Sequence, residues 1–297
     1  MSIQTELIAL APRAPSRFAS LRLGDFPLIP ALILGGIAFV AIFANLLAPH
    51  NPEIRSLAAR FRPPVWQTGG SSQYLLGTDQ LGRDVLSRLI FGARVSMVVG
   101  FTAVIFSGIV GTTLGILSGY LGGWVDQVIM RLTDTWLALP ALTFAIFLAA
   151  IVGPSMWNIV LILGITYWTR YARVTRGEVL SLKEREFVRL AIVAGCSKFT
   201  IMRRHILPNI LNTAIVLGTL ELGVVIIAEA TLSFLGVGVP PPEPAWGLML
   251  SDGKQSLMVG RWWLSVLPGV CIMLMVLSAN ILGDWLRVKL DPQLRQL

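Results

Sequence analysis

Four long stretches of this sequence contain no Asp, Glu, Lys or Arg: residues 26–52, 95–125, 135–169 and 262–283. An uncharged apolar run of 18 residues or more is long enough to cross about 30 Å of hydrocarbon as a helix. Charged residues make up only 13% of the chain, about half the share usual in soluble proteins. The pattern excludes a soluble domain, a disordered chain, a collagen and a disulfide scaffold. Cys196 and Cys271, the two cysteines, say little about redox compartment. The net charge of +8 would suggest nucleic acid on a soluble protein. In a membrane protein it reflects Lys and Arg held in cytoplasmic loops, and nucleic-acid binding is not expected.

The runs predict six spans and an all-α, polytopic membrane protein. Span 1 covers about 28–48 and span 2 about 95–117. The run 135–169 is too long for one crossing, and Gly153-Pro154 divides it into span 3 (136–152) and span 4 (156–171). Span 5 starts after Pro208 and ends near 234, and span 6 covers 262–283. Trp124, Trp136, Trp157, Trp168, Trp262, Trp263 and Trp285 fall near these ends, with Tyr120, Tyr167 and Tyr171. Amphipathic rings favour the headgroup region.

Six spans put both termini on one side. With the termini inside, sixteen Lys and Arg fall on the inner segments and eight on the outer ones. That bias predicts a multi-pass inner-membrane protein with both termini in the cytoplasm. Span 1 is longer than a signal-peptide core and reads as a retained anchor. Residues 1–22 read as a loose cytoplasmic tail.

The longest inner loop, 178–208, mixes charge with apolar residues. Phe187, Leu190, Ala191 and Ala194 recur at helical spacing and define one face. Gly195 breaks the helix as a C-terminal cap does. Ser197 can cap a second short helix through Ile206, and Pro208 suits the first turn of span 5. The loop is either an interfacial anchor or a docking element whose apolar face needs a cover.

Other features carry two readings each. Gly111, Gly115 and Gly119 in span 2 allow close helix approach, within this chain or against a second subunit. Glu221 and Glu229 lie in span 5, where carboxylates are costly and face a bundle interior or wet cavity. They are about 80° apart around the helix and serve as hydrogen-bonding groups or line a path. The outer segment carries Gly77, Thr78, Asp79, Gly82, Arg83 and Asp84. Thr78 or Asp79 can cap the helix into span 2, and Asp79, Arg83 and Asp84 can pair together. The box is a loop clamp or a contact surface.

Chemistry-bearing motifs are missing. Between Gly247 and Gly253-Lys254 lie five residues instead of four, and Gln255 follows the lysine, so there is no Walker A loop. HExxH, CxxC and GxSxG are absent, and His50 and His205 fall on opposite membrane faces. No catalysis, metal site or cofactor is expected in this chain.

The run REFVRLAIVAGCSKFTIMRRHILPNI resembles the cytoplasmic EAA loop of binding-protein-dependent ABC importer permeases. Ala191, Gly195, Leu207 and Pro208 match that pattern, whereas Arg189, Leu190 and His205 depart from it. LLGTDQLGRDVLSRLIFGARVS (75–96) and EATLSFLGVGVPPPEPAWGLMLSDG (229–253) resemble the corresponding segments of the C-type subunit of dipeptide and oligopeptide permeases. Glu229 falls in the second of these.

The resemblance implies a type I ABC importer permease fold. It implies a cytoplasmic tail (1–27), a first transmembrane helix with a periplasmic loop (28–93), a transporter domain (94–283) containing the coupling loop, and a second cytoplasmic tail (284–297). It also implies a sister permease, two cytoplasmic ATPases that hold ATP and Mg²⁺, a periplasmic or lipid-anchored binding protein, and dipeptides or short oligopeptides as substrate. Phe187, Ala191, Gly195, Ser197, Leu207 and Pro208 would couple to an ATPase. The competing reading is a stand-alone secondary transporter, proton-coupled through Glu221 and Glu229.

Overall fold

The computed structural model describes residues 26–290. The N-terminal tail with Arg13, Arg17 and Arg22, and the C-terminal residues with Arg295, lie outside the described residues. The described chain is helical, with two isolated bridges at Ser71–Tyr74 and Thr78–Asp84 as its only β pairing. Its helices are α1 (Leu28–Ile42), α2 (Ala44–Leu47), α3 (Val85–Leu121), α4 (Gly123–Leu137), α5 (Ala141–Val152), α6 (Met156–Lys183), α7 (Glu186–Val193), α8 (Lys198–Ile201), α9 (Leu207–Phe234), α10 (Trp246–Leu257) and α11 (Trp263–Leu290).

By length and apolarity, α3, α11 and the continuous helix Lys198–Phe234 can each cross a membrane, and α4 with α5 can form a fourth crossing. Helix α1 is apolar but has 15 residues. Helix α6 is long enough at 28 residues, yet carries Arg170, Arg173 and Arg176 in its second half.

Three expectations are corrected here. Span 3 is not a single helix: α4 and α5 meet at 91°, because Pro140 cannot continue the helix and restricts Leu139 before it. The twelve residues of α5 cover about 18 Å, less than the hydrocarbon core. Span 5 does not begin afresh at Pro208. Helix α8 runs into α9 through a π-type widening at Met202–Ile206, where the Leu207 N–H bonds Met202 O. That widening accommodates the missing N–H and the ring of Pro208, and the Asn209 side-chain amide donates to His205 O at 2.6 Å. Finally, Tyr167, Trp168 and Tyr171 are buried half-way along α6, so they do not belong to an interfacial belt. Trp124 and Trp157 remain well exposed.

Helix α3 is the central element and packs most extensively on α6, and also on α9 and α1. The glycine stripe makes the α3–α6 seam. A Cβ on Gly111 would overlap the Trp168 carbonyl and Tyr171. One on Gly115 would lie 2.7 Å from Ala172 O and from Thr175 Cβ, and one on Gly119 would lie 2.8 Å from Val179 Cβ. The three glycines therefore serve packing within this chain. Substituting Gly115→Leu overfills the seam, a change that costs typically 1–3 kcal/mol or more. We expect loss of monodisperse protein in detergent size-exclusion chromatography, whereas Gly35→Leu, with open space around it, should behave as the native chain.

Candidate functional site

After α6 the chain folds back as α7, a glycine turn and α8. Cys196 N–H bonds Ala191 O and Gly195 N–H bonds Ile192 O, the bond pattern of a Schellman cap. Gly195 has φ +77°, a conformation open to glycine and strained for residues with a Cβ. Ser197 caps α8 by accepting from the Thr200 N–H at 3.2 Å. The sequence reading of both residues holds.

The amphipathic reading of α7 is revised. Val188 and Ala191 turn inward and join Ile116, Tyr120, Val179, Ile201, Ile206 and Ile210 in a core separate from the main one. Leu207 packs partly buried against it. Phe187 and Leu190, assigned with Ala191 to one face, instead point outward with Val193 and Phe199. Leu190 is 65% exposed, Val193 85% and Phe199 67%. The apolar residues thus divide into a face that seals the loop to the spans and a face left open. Sequence periodicity missed Val188 because apolar residues surround most of this short helix.

The helix ends nearest this loop are tied by charge. Asp126 of α4 accepts two bonds from Arg176 of α6, at 2.5 and 2.7 Å, and one from Ser118 of α3 at 2.5 Å. Lys183 donates to Tyr120 O at 3.1 Å. Loop, α3, α4 and α6 therefore form one connected body.

Deeper in the helices, Glu221 pairs with Arg170 at 2.9 Å, while Arg173 pairs with Asp134 at 2.6 Å. Glu229 is fully buried, accepting from Ser233 at 2.8 Å and Ser96 at 3.3 Å. Ser233 in turn accepts from the Val239 N–H at 3.2 Å. The two glutamates are not brought together. Glu229 fixes the end of α9 to α3, and Glu221 belongs to an ion pair with α6. Arg170 directly follows the uncharged run 135–169. The three-residue spacing of Arg170, Arg173 and Arg176 was the available signal that these arginines share a helix.

The outer box is buried. The helix cap is Asp84, not Thr78 or Asp79: its carboxylate accepts from the Ser87 N–H at 2.9 Å and hydroxyl at 2.6 Å. Asp79 pairs with Arg83 at 2.6 Å and lies 3.6 Å from Arg88. Arg83 also approaches Asp252 of α10 at 3.5 Å, and burial pushes the Asp252 carboxyl above its ordinary range while Arg88 and Arg83 oppose that shift. Thr78 donates to Ala59 O and accepts from the Arg62 N–H. Gly77 and Gly82 sit where the chain crosses Arg62 and Ser56 at backbone contact. The arrangement is a clamp holding the outer loop and α10 onto the head of α3.

Residues 111–296 match the family model described as binding-protein-dependent transport system inner membrane component. The Dipeptide transport system permease protein DppC of Escherichia coli (strain K12) is 47% identical over 88% of this chain and 86% of that protein. The protein of that name from Haemophilus influenzae is 41% identical over 88% of each. The Di/tripeptide transport system permease protein DppC of Pseudomonas aeruginosa is 42% identical over 87% of this chain and 85% of that one. Among solved structures, a chain of the inward-facing MetNI methionine ABC transporter superposes with a TM-score of 0.54 at 17% identity, covering 69% of this chain and 96% of that one. That likeness concerns the fold alone. The family model and the permease relatives set aside a stand-alone secondary transporter. The chain belongs to the family of binding-protein-dependent transport system inner membrane components, the multi-pass permease subunits of ABC importers.

Proposed function

We infer that this permease works with a sister permease around one translocation path for dipeptides or short oligopeptides. A periplasmic or lipid-anchored binding protein delivers the substrate. Two cytoplasmic ATPases, which hold the ATP and Mg²⁺, dock beneath. Relatives named as dipeptide permeases at 40–47% identity support the substrate class. The membrane topology in this reading is six passes by α1, α3, the α4–α5 pair, α6, α9 and α11, with both termini in the cytoplasm. The chain then divides into an inner tail (1–27), a first crossing and outer loop (28–93), the transporter domain (94–283) and a second inner tail (284–297).

One observation carries the coupling role. The face of α7 and α8 that carries Leu190, Val193 and Phe199 is exposed, while Val188, Ala191 and Ile201 seal the same helices to α3, α6 and α9. A push on the open face reaches three spans through packed side chains rather than through a slack loop. ATPase closure would move two such loops together and exchange inward- and outward-facing arrangements of the spans. Glu221 is already engaged by Arg170, and Glu229 by Ser96 and Ser233.

Gly195→Asp tests this reading. The aspartate takes a strained backbone conformation and adds a charge beside the open face. We expect normal membrane levels and at least a tenfold loss of ATP-dependent dipeptide uptake, with ATPase activity no longer stimulated by the loaded binding protein. Unchanged uptake would remove the docking role from this loop.

A further inference from the structure

The face of α6 that carries Ile159, Leu163 and Thr166 is buried against its own chain. Beyond Thr166 the same face opens. Arg170, Arg173, Val174 and Gly177 follow on it, all exposed in the isolated chain, and Arg170 is the first of them. On the six-pass reading, Arg170 lies half-way along α6, about 21 Å from the outer end at 1.5 Å per residue, and so within the roughly 30 Å depth of the hydrocarbon. Its side chain is 57% exposed, whereas its partner Glu221 is 4% exposed. An arginine at that depth does not face acyl chains, because a charge there costs several kcal/mol and seeks protein or water.

Glu221 holds Arg170 by one carboxylate oxygen only. Oε1 accepts from Arg170 Nη1 at 2.9 Å, and the buried Oε2 has no hydrogen-bond partner among the described residues. The guanidinium has five N–H donors in a planar fork, and Nη1 is the nitrogen that faces the glutamate. The side chain as a whole is 57% exposed, so this chain does not enclose the fork. A planar, weakly hydrated cation fixed at its base and open at its edge suits a carboxylate.

We propose that the cytoplasmic half of α6 lines a water-filled part of the path, and that Arg170, positioned by Glu221, receives the C-terminal carboxylate of the passing peptide. The inference rests on the peptide-importer reading and adds to it a specificity-determining residue. Arg173, whose side chain is also more than half exposed and pairs with Asp134, lies one turn further toward the cytoplasm and offers the next positive charge. Glu221 sets the orientation of the guanidinium and does not itself meet the substrate.

Two measurements on the assembled transporter test the proposal. The first needs no substrate. With Cys196 and Cys271 replaced by Ser, Val174→Cys is exposed to a membrane-impermeant maleimide in inside-out vesicles. Labelling is expected on the wet face; a thiol that stays unlabelled in lipid or in a subunit seam overturns the proposal. The second measures ATP-driven import of radiolabelled Ala-Ala in proteoliposomes. Arg170→Gln should lower import at least tenfold in a complex that still assembles, and Arg170→Lys should recover part of it. The paired exchange Arg170→Glu with Glu221→Arg should remain inactive, since the cation has moved off the path. Import restored to the native level by that exchange would make the pair a structural clip and overturn the assignment. A native complex that labels at Val174→Cys but carries no Ala-Ala defeats the peptide reading and, with it, the role of Arg170 toward a peptide carboxylate.

Discussion

Close contact between α3 and α6 is the interaction on which the rest of this structure depends. Gly111, Gly115 and Gly119 remove side chains at three successive turns of α3, so the backbone of α6 lies directly on them. In lipid, where no hydrophobic force drives one apolar helix onto another, such dispersion contact is a main source of association. The seam fixes the direction of α6 through the membrane. It therefore fixes where Arg170 meets Glu221 and where the inner loop emerges.

From that seam the molecule separates into two packed regions. The larger lies around the outer half of α3, where the Asp79–Arg83 pair, Asp252 and the Asp84 cap hold the outer loop and α10 in place. The smaller surrounds Ile116, Val179, Val188 and Ile206 at the inner end. Between them α6 and α9 are joined by the Arg170–Glu221 pair and the Thr213–Glu178 hydrogen bond, with Gly218 set against Tyr171.

Much of this was legible in the sequence, for identifiable reasons. Charge-free runs announced the membrane helices because hydrocarbon tolerates little else. Gly195 and Ser197 announced the loop turn because cap chemistry is local. The family followed from three motif segments in order. What the sequence hid was tertiary. Nothing local distinguishes Asp84 from Asp79 as the cap, since the choice depends on a loop that closes back on Ser56 and Arg62. Tyr167 and Trp168 looked interfacial because the uncharged run ends nearby, whereas α6 continues to Lys183 as a single helix. Val188 and Leu190 are both apolar, and only the position of α7 against Ile201 and Ile206 decides which turns inward. The partner of Glu221 lies 51 residues away, beyond the reach of periodicity.

The central claim is that the outward face of α7 is where force from ATP hydrolysis enters this chain. A photo-crosslinking amino acid at Leu190, in native membranes that contain the whole transporter, addresses it most directly. The account predicts a crosslinked product between this chain and a second protein carrying a nucleotide-binding P-loop, with a yield that changes when ATP hydrolysis is arrested by vanadate. Crosslinking to lipid alone, under both conditions, would mean that the loop merely rests on the membrane and would contradict the account.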